Sequence, residues 1–140
     1  MGLAIKLSLL AAGVFLLFGM LSGVIKYRYI MTSPSHNAPV YIDIAHRASF
    51  LYSFAALVIA KLLEYSPYSS FIQTLATIIP LTFFTLTIIG YFITGLQNQT
   101  DNLFSKRNFV STWFMYFLIS GEIIGMIIIL WGFISTQFFS

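Results

Sequence analysis

Apolar residues fill the chain in four long runs, and only three short stretches between them are rich in polar or turn-forming residues. The runs predict helices over about 3–25, 38–63, 69–96 and 109–133, each long enough to cross a hydrocarbon layer of roughly 30 Å at about 1.5 Å per residue. The first run is longer than the core of a usual secretion signal, and Met20-Leu21-Ser22 makes a poor cleavage site, so it is read as a retained helix. Lys26 to Asn37 forms the first predicted loop, ending in the turn-rich TSPSHNAP, with Asn37 as a cap and Pro39 in the first turn of helix two. Glu64 to Pro67 makes the second break. Gln97 to Asn108, the most polar segment, makes the third.

Inside the runs a few residues break the apolar pattern. Pro80 falls in the middle of helix three and predicts a kink, with Thr74, Thr77, Thr82, Thr85 and Thr87 near enough to bond freed carbonyls. Gly19 with Gly23 and Gly121 with Gly125 form small-xxx-small pairs, which mark faces where helices pack closely. Trp113 and Trp131 stand near opposite ends of helix four, at the depths where amphipathic rings favour the membrane interface.

Composition sharpens this into a fold class: an all-α, integral membrane bundle of four transmembrane helices forming a single domain over 1–140. Of 140 residues, 59% are hydrophobic and 8% charged, with mean hydropathy +0.90, values that exclude an ordinary soluble domain. The chain has no cysteine, which removes disulfides, thiolate nucleophiles and thiolate metal ligands. The net charge of +3 is spread over the polar breaks, which suits contact with the lipid bilayer and offers no patch for nucleic acid. Lys26, Arg28, Arg47, Lys106 and Arg107 gather at the end that carries loops one and three, against Lys6 and Lys61 at the other. Loops one and three are therefore expected on the cytoplasmic side, in a bacterial inner membrane.

The chemistry concentrates where helix two begins, in DIAHRASF. Asp43, His46 and Arg47 stand three and four positions apart, so on a helix the carboxylate reaches either partner. Ionisable groups entering hydrocarbon are costly unless paired, wet or ligated, which makes them functional candidates; the plainer reading is an interfacial Asp43–Arg47 ion pair with His46 as a satisfied neighbour. As a functional group, His46 is the candidate axial ligand and metal-binding residue for a haem, with Arg28, Arg47 and Arg107 available to its propionates. His36 lies in the polar first loop, away from the membrane. Tyr91 is expected about 7 Å inside the end of helix three, at a depth similar to His46, so the two can share a site.

A resemblance enters on these residues. AHRASFLYSFAALVIA, which begins at Ala45, resembles the second helix of the styrene oxide isomerases, four-helix membrane enzymes whose helix-two histidine ligates haem b. LLFGM in helix one and IIGYFITGLQNQ at the end of helix three also resemble that family, over residues 14 to 104, with 45 positions from His46 to Tyr91. The resemblance implies Lewis-acid opening of a small hydrophobic epoxide and a 1,2-hydride shift to the aldehyde, with His46 on iron and Tyr91 orienting the epoxide oxygen. It also implies a homo-oligomer, a trimer with haem between subunits. One departure stands out: six positions after the histidine, where the family carries a substrate-orienting asparagine, this chain has Tyr52, here taken as a second catalytic candidate. Loop one is also shorter.

Two other classes compete with the isomerase. Glu122 falls near mid-depth in helix four, and a mid-bilayer carboxyl is what a small proton-coupled transporter needs; its plainer reading is a protonated, hydrogen-bonded interface residue. The chain can also be read as a non-catalytic subunit of a larger membrane complex.

Overall fold

In the computed structural model, which describes residues 1–139, the chain forms four helices long and apolar enough to cross a membrane: α1 (Leu3–Thr32), α2 (Val40–Leu63), α3 (Ser70–Gln97) and α4 (Met115–Phe138). A π-helical turn, Val110–Phe114, leads directly into α4. Among the described residues there is no strand. Large apolar side chains such as Leu10, Leu17, Leu51, Phe54 and Ile127 point outward, as expected where the surroundings are lipid tails rather than water.

The α1–α2 seam is built from small residues. Ala4, Ser8, Ala12, Phe15, Gly19 and Ser22 are buried on α1, three or four positions apart, and face Ala45, Ser49, Ser53, Ala56, Ala60 and Leu63 of α2. That spacing keeps one stripe of each helix facing the other, and the short side chains let the backbones come close where lipid supplies no hydrophobic drive. The serines satisfy themselves on nearby carbonyls: Ser8 donates to Ala4 O, Ser49 to Ala45 O at 2.7 Å, and Ser53 crosses the seam to Ala12 O at 2.7 Å.

α3 and α4 pack through glycine and proline. Pro80 has no N–H for the Ala76 carbonyl four residues earlier, and Gly125 of α4 lies directly over that carbonyl: a Cβ there would come within 2.8 Å of it. Gly121 admits the Phe83 ring in the same way. Thr74 and Thr85 donate to Ser70 O and Leu81 O, so neither hydroxyl serves the carbonyl that Pro80 frees. A third close approach, between Gly95 of α3 and the backbone at Ile42 of α2, had no warning in the sequence pattern.

Three boundaries differ from expectation: α4 runs on to Phe138, past the expected end at 133, and the other two flank loop one. Lys26 to Thr32 belong to α1 rather than to loop one, and α2 starts at Val40 with Pro39 at its cap position, where no side chain caps it. A helix of 30 residues is about 45 Å long, so α1 runs past the hydrocarbon into the headgroup zone before Ser33 ends it. At this end loop three is tied to α2, because the Leu103 amide donates to the Tyr41 hydroxyl at 2.8 Å. At the other end Thr136 donates to Tyr65 O at 2.7 Å and the Gln73 amide donates to Tyr68 O at 2.8 Å, joining the second turn to α3 and α4.

Candidate functional site

His46 is seated in the groove between α1 and α2. Its Nδ1 lies 2.8 Å from the Gly19 carbonyl, and Ser22, itself buried, donates to the same oxygen at 3.0 Å. A carbonyl only accepts, so Nδ1 carries a proton, and in the neutral form of the ring the lone pair is on Nε2. Gly23 makes room for the ring: a Cβ at that position would lie 2.8 Å from His46 Cε1. One turn further along, Gly19 does the same for Phe50, whose ring meets the imidazole edge-on at 5.1 Å between centroids.

The pairing continues upward to charge. Lys26 and Arg47 both reach Asp43, at 2.5 Å and 2.7 Å, so the carboxylate is held by a cation from each helix. Gly19 with Phe50, Gly23 with His46 and Lys26 with Asp43 form one antiparallel register: each step up α1 matches an equal step down α2. The interfacial Asp43–Arg47 pair therefore exists, and His46 is satisfied on Nδ1, but the second ring nitrogen has no hydrogen-bond partner among the described residues.

Tyr91 and Tyr52 lie elsewhere. They line a cavity of about 350 Å³ closed by α2, α3, loop three and the start of α4, with Thr87, Thr94, Asn108 and Ser111 as its other polar walls. Tyr91 leans on Tyr41, centroids 5.6 Å apart, and Tyr52 stacks on Phe84 at 4.2 Å. His46 is not among the residues that line this cavity. His46 and Tyr91, expected at similar depth and able to share a site, thus face different inter-helical spaces within the chain.

The expected cationic residues are likewise spread out. Arg47 is paired with Asp43 while remaining largely exposed, Arg28 borders a recess near the end of α1 with Ile25, Tyr29 and Thr32, and Arg107 is exposed on loop three. His36 sits at an exposed turn with φ 51°, its Nδ1 3.3 Å from Ile30 O, apart from the membrane site. Among the described residues no three His, Cys, Asp or Glu side chains group as a metal cluster.

Glu122 projects into a separate space between α2, α3 and α4. Its Oε1 is buried and has no hydrogen-bond partner, so the hydrogen-bonded interface reading does not describe it. Leaving such an acceptor unpaired costs about 1–3 kcal/mol. The sequence did not disclose Ser22 and Gly23 as parts of the His46 seat, or Tyr41 as the anchor of loop three; Gly23 carried a signal, but only as a generic packing face.

No family model matches the chain, and neither a characterised protein nor a solved structure does. The class that the fold defines is a membrane-spanning four-helix bundle in contact with the lipid bilayer.

Proposed function

We propose that this protein is a haem b protein of the bacterial inner membrane, with loops one and three cytoplasmic, and that it isomerises small hydrophobic epoxides to aldehydes. The observation that carries the reading is the His46 imidazole: its Nδ1–H is fixed on the Gly19 carbonyl, which orients the ring and leaves Nε2 available, the arrangement expected of an axial ligand. The residues present fit the group. His46 would hold the iron, Phe50 and the apolar α1–α2 groove would contact the macrocycle, and Arg28, Arg47 and Arg107 stand at the end suited to the propionates. When bound there, ferric haem supplies a Lewis acid for an epoxide oxygen.

The chain's own residues supply orientation and dryness. Tyr91 and Tyr52 line a largely apolar cavity, where a phenol hydroxyl would donate to an ether oxygen and the apolar walls would limit water in the path of a cationic rearrangement. His46 and this cavity occupy different inter-helical spaces, so a complete site would be assembled from the His46 face of one subunit and the tyrosine cavity of the next. A homotrimer, as the styrene oxide isomerase resemblance implies, would provide that boundary. The greater bulk of Tyr52, where that family carries asparagine, narrows the substrate.

Purified protein should show a Soret band that His46→Ala abolishes and His36→Ala leaves intact. Tyr91→Phe should keep the haem and slow conversion of an aryl epoxide at least about tenfold, as expected for one lost transition-state donor. A colourless wild-type protein, or a His46→Ala variant with an unchanged spectrum, would overturn the reading.

A further inference from the structure

Glu122 stands in a cavity of about 330 Å³ that the proposed reaction does not use. Ala55 and Val58 of α2, Pro80 and Phe84 of α3, and Ile123 and Met126 of α4 form its walls, and every lining residue other than Glu122 is apolar. It adjoins the Tyr91 cavity across the Tyr52–Phe84 stack: Tyr52 lines the one and Phe84 the other. Into this apolar space the chain places one carboxyl, whose buried Oε1 receives no hydrogen bond. Buried acceptors in proteins are normally paired, and a lone unpaired one beside a cavity of ligand size asks for a donor from outside the chain.

We propose that this cavity is a binding site for a small lipophilic amine whose ammonium N–H donates to Glu122. The chemistry follows from the walls and the single polar group. Aliphatic and aromatic walls select an apolar body, and a carboxyl with no cation among the residues lining its cavity favours a donor that also brings positive charge. A neutral alcohol would satisfy the oxygen without neutralising it and so binds more weakly. A hydrocarbon of equal size satisfies neither. The site does not depend on His46 or on any cofactor.

Met126 lines this cavity and Met115 the Tyr91 cavity, so methionine methyl groups report on each space separately. The experiment is a titration of the full chain, ¹³C-methyl-methionine labelled and embedded in lipid nanodiscs, with N,N-dimethylcyclohexylamine, and with isopropylcyclohexane as the hydrocarbon of matching shape. The amine should shift Met126 saturably, with an affinity at least about tenfold above that of the hydrocarbon and lost by a similar factor in Glu122→Leu, as one charge-assisted hydrogen bond predicts. Glu122→Leu breaks no hydrogen bond to Oε1, and its unshifted Met115 signal checks the fold. Ala55→Leu, which fills the cavity and keeps the carboxyl, should also block the titration. An unmoved Met126, an equal affinity for the hydrocarbon, or an undiminished amine titration in Glu122→Leu would overturn the proposal, and none of these outcomes bears on the Soret band.

Discussion

Replacing Gly23 with alanine tests the His46 seat directly. The added Cβ would lie 2.8 Å from His46 Cε1 and 3.2 Å from Nδ1, against the roughly 3.5–4.0 Å at which carbon atoms sit comfortably. The ring must move, and the 2.8 Å bond from Nδ1 to Gly19 O is what holds it in place. Overpacking in a close-packed interior costs about 1–3 kcal/mol, whereas an interhelical hydrogen bond in a membrane averages about 0.6 kcal/mol. The steric cost therefore dominates, and the ring will give up its hydrogen bond before the helices part. Gly13→Ala is the control, because no atom lies within 4 Å of its added Cβ. Both variants gain the same helix propensity, so their difference isolates the seat: at least the about 0.6 kcal/mol of the lost hydrogen bond, rising towards about 1–3 kcal/mol to the extent that the ring stays overpacked. Unfolding in mixed micelles should show Gly23→Ala less stable than Gly13→Ala by that amount. Haem titration should show a loss of about 10- to 100-fold in affinity, the usual effect of disturbing a residue that orients a metal ligand. Equal stability of the two variants, together with unchanged haem affinity in Gly23→Ala, would refute the seating argument.

Three further outcomes follow from the packing. Gly125→Ala should destabilise the bundle by about 1–3 kcal/mol or more, because the obstacles to its Cβ are the Ala76 carbonyl and the Pro80 ring, neither of which can swing aside; melting in detergent checks this against Gly13→Ala. Tyr41→Phe removes the acceptor for the Leu103 amide, and hydrogen exchange at that amide should accelerate by about 2- to 10-fold with exchange in α4 unchanged. A double-mutant cycle between Lys26→Met and Asp43→Asn should give a coupling of about 0.3–1 kcal/mol that shrinks as salt is raised, since both side chains are partly exposed; a coupling insensitive to salt would place the pair in a drier setting than the geometry indicates.

The fold was legible because hydrocarbon imposes a simple rule: a spanning segment is helical and apolar for its whole width, and the four runs satisfy that rule without ambiguity. The ends were less legible for the same reason. Lys26-Tyr27-Arg28-Tyr29 reads as a loop because it leaves the hydrocarbon, yet a helix continues as long as its backbone bonds and its neighbour hold it, and Lys26 has Asp43 to hold. Within the site, His46 stood out because charge and imidazole are rare in an apolar helix. The separation of His46 from Tyr91 was hidden, since sequence gives depth along each helix but not the direction a side chain takes around it once the helices are packed. Glu122 was visible as an anomaly; that its Oε1 lacks a partner depends on three helices at once.

The register of α1 on α2 carries a consequence for how the membrane surface reaches the interior. Two seams of alanine, serine and glycine are smooth, and smooth surfaces slide; a displacement of one residue is only about 1.5 Å, enough to carry Gly23 out from beneath the imidazole. The Lys26–Asp43 contact lies one turn beyond that point and acts as a detent, fixing the axial phase of the two helices where headgroups and ions have access to it. His46 is thus half-buried between the two helices, but its alignment is set from the headgroup layer, about 4.5 Å away along the helix axis, and anything that competes for Lys26 there, an anionic lipid above all, works on the same mechanical adjustment.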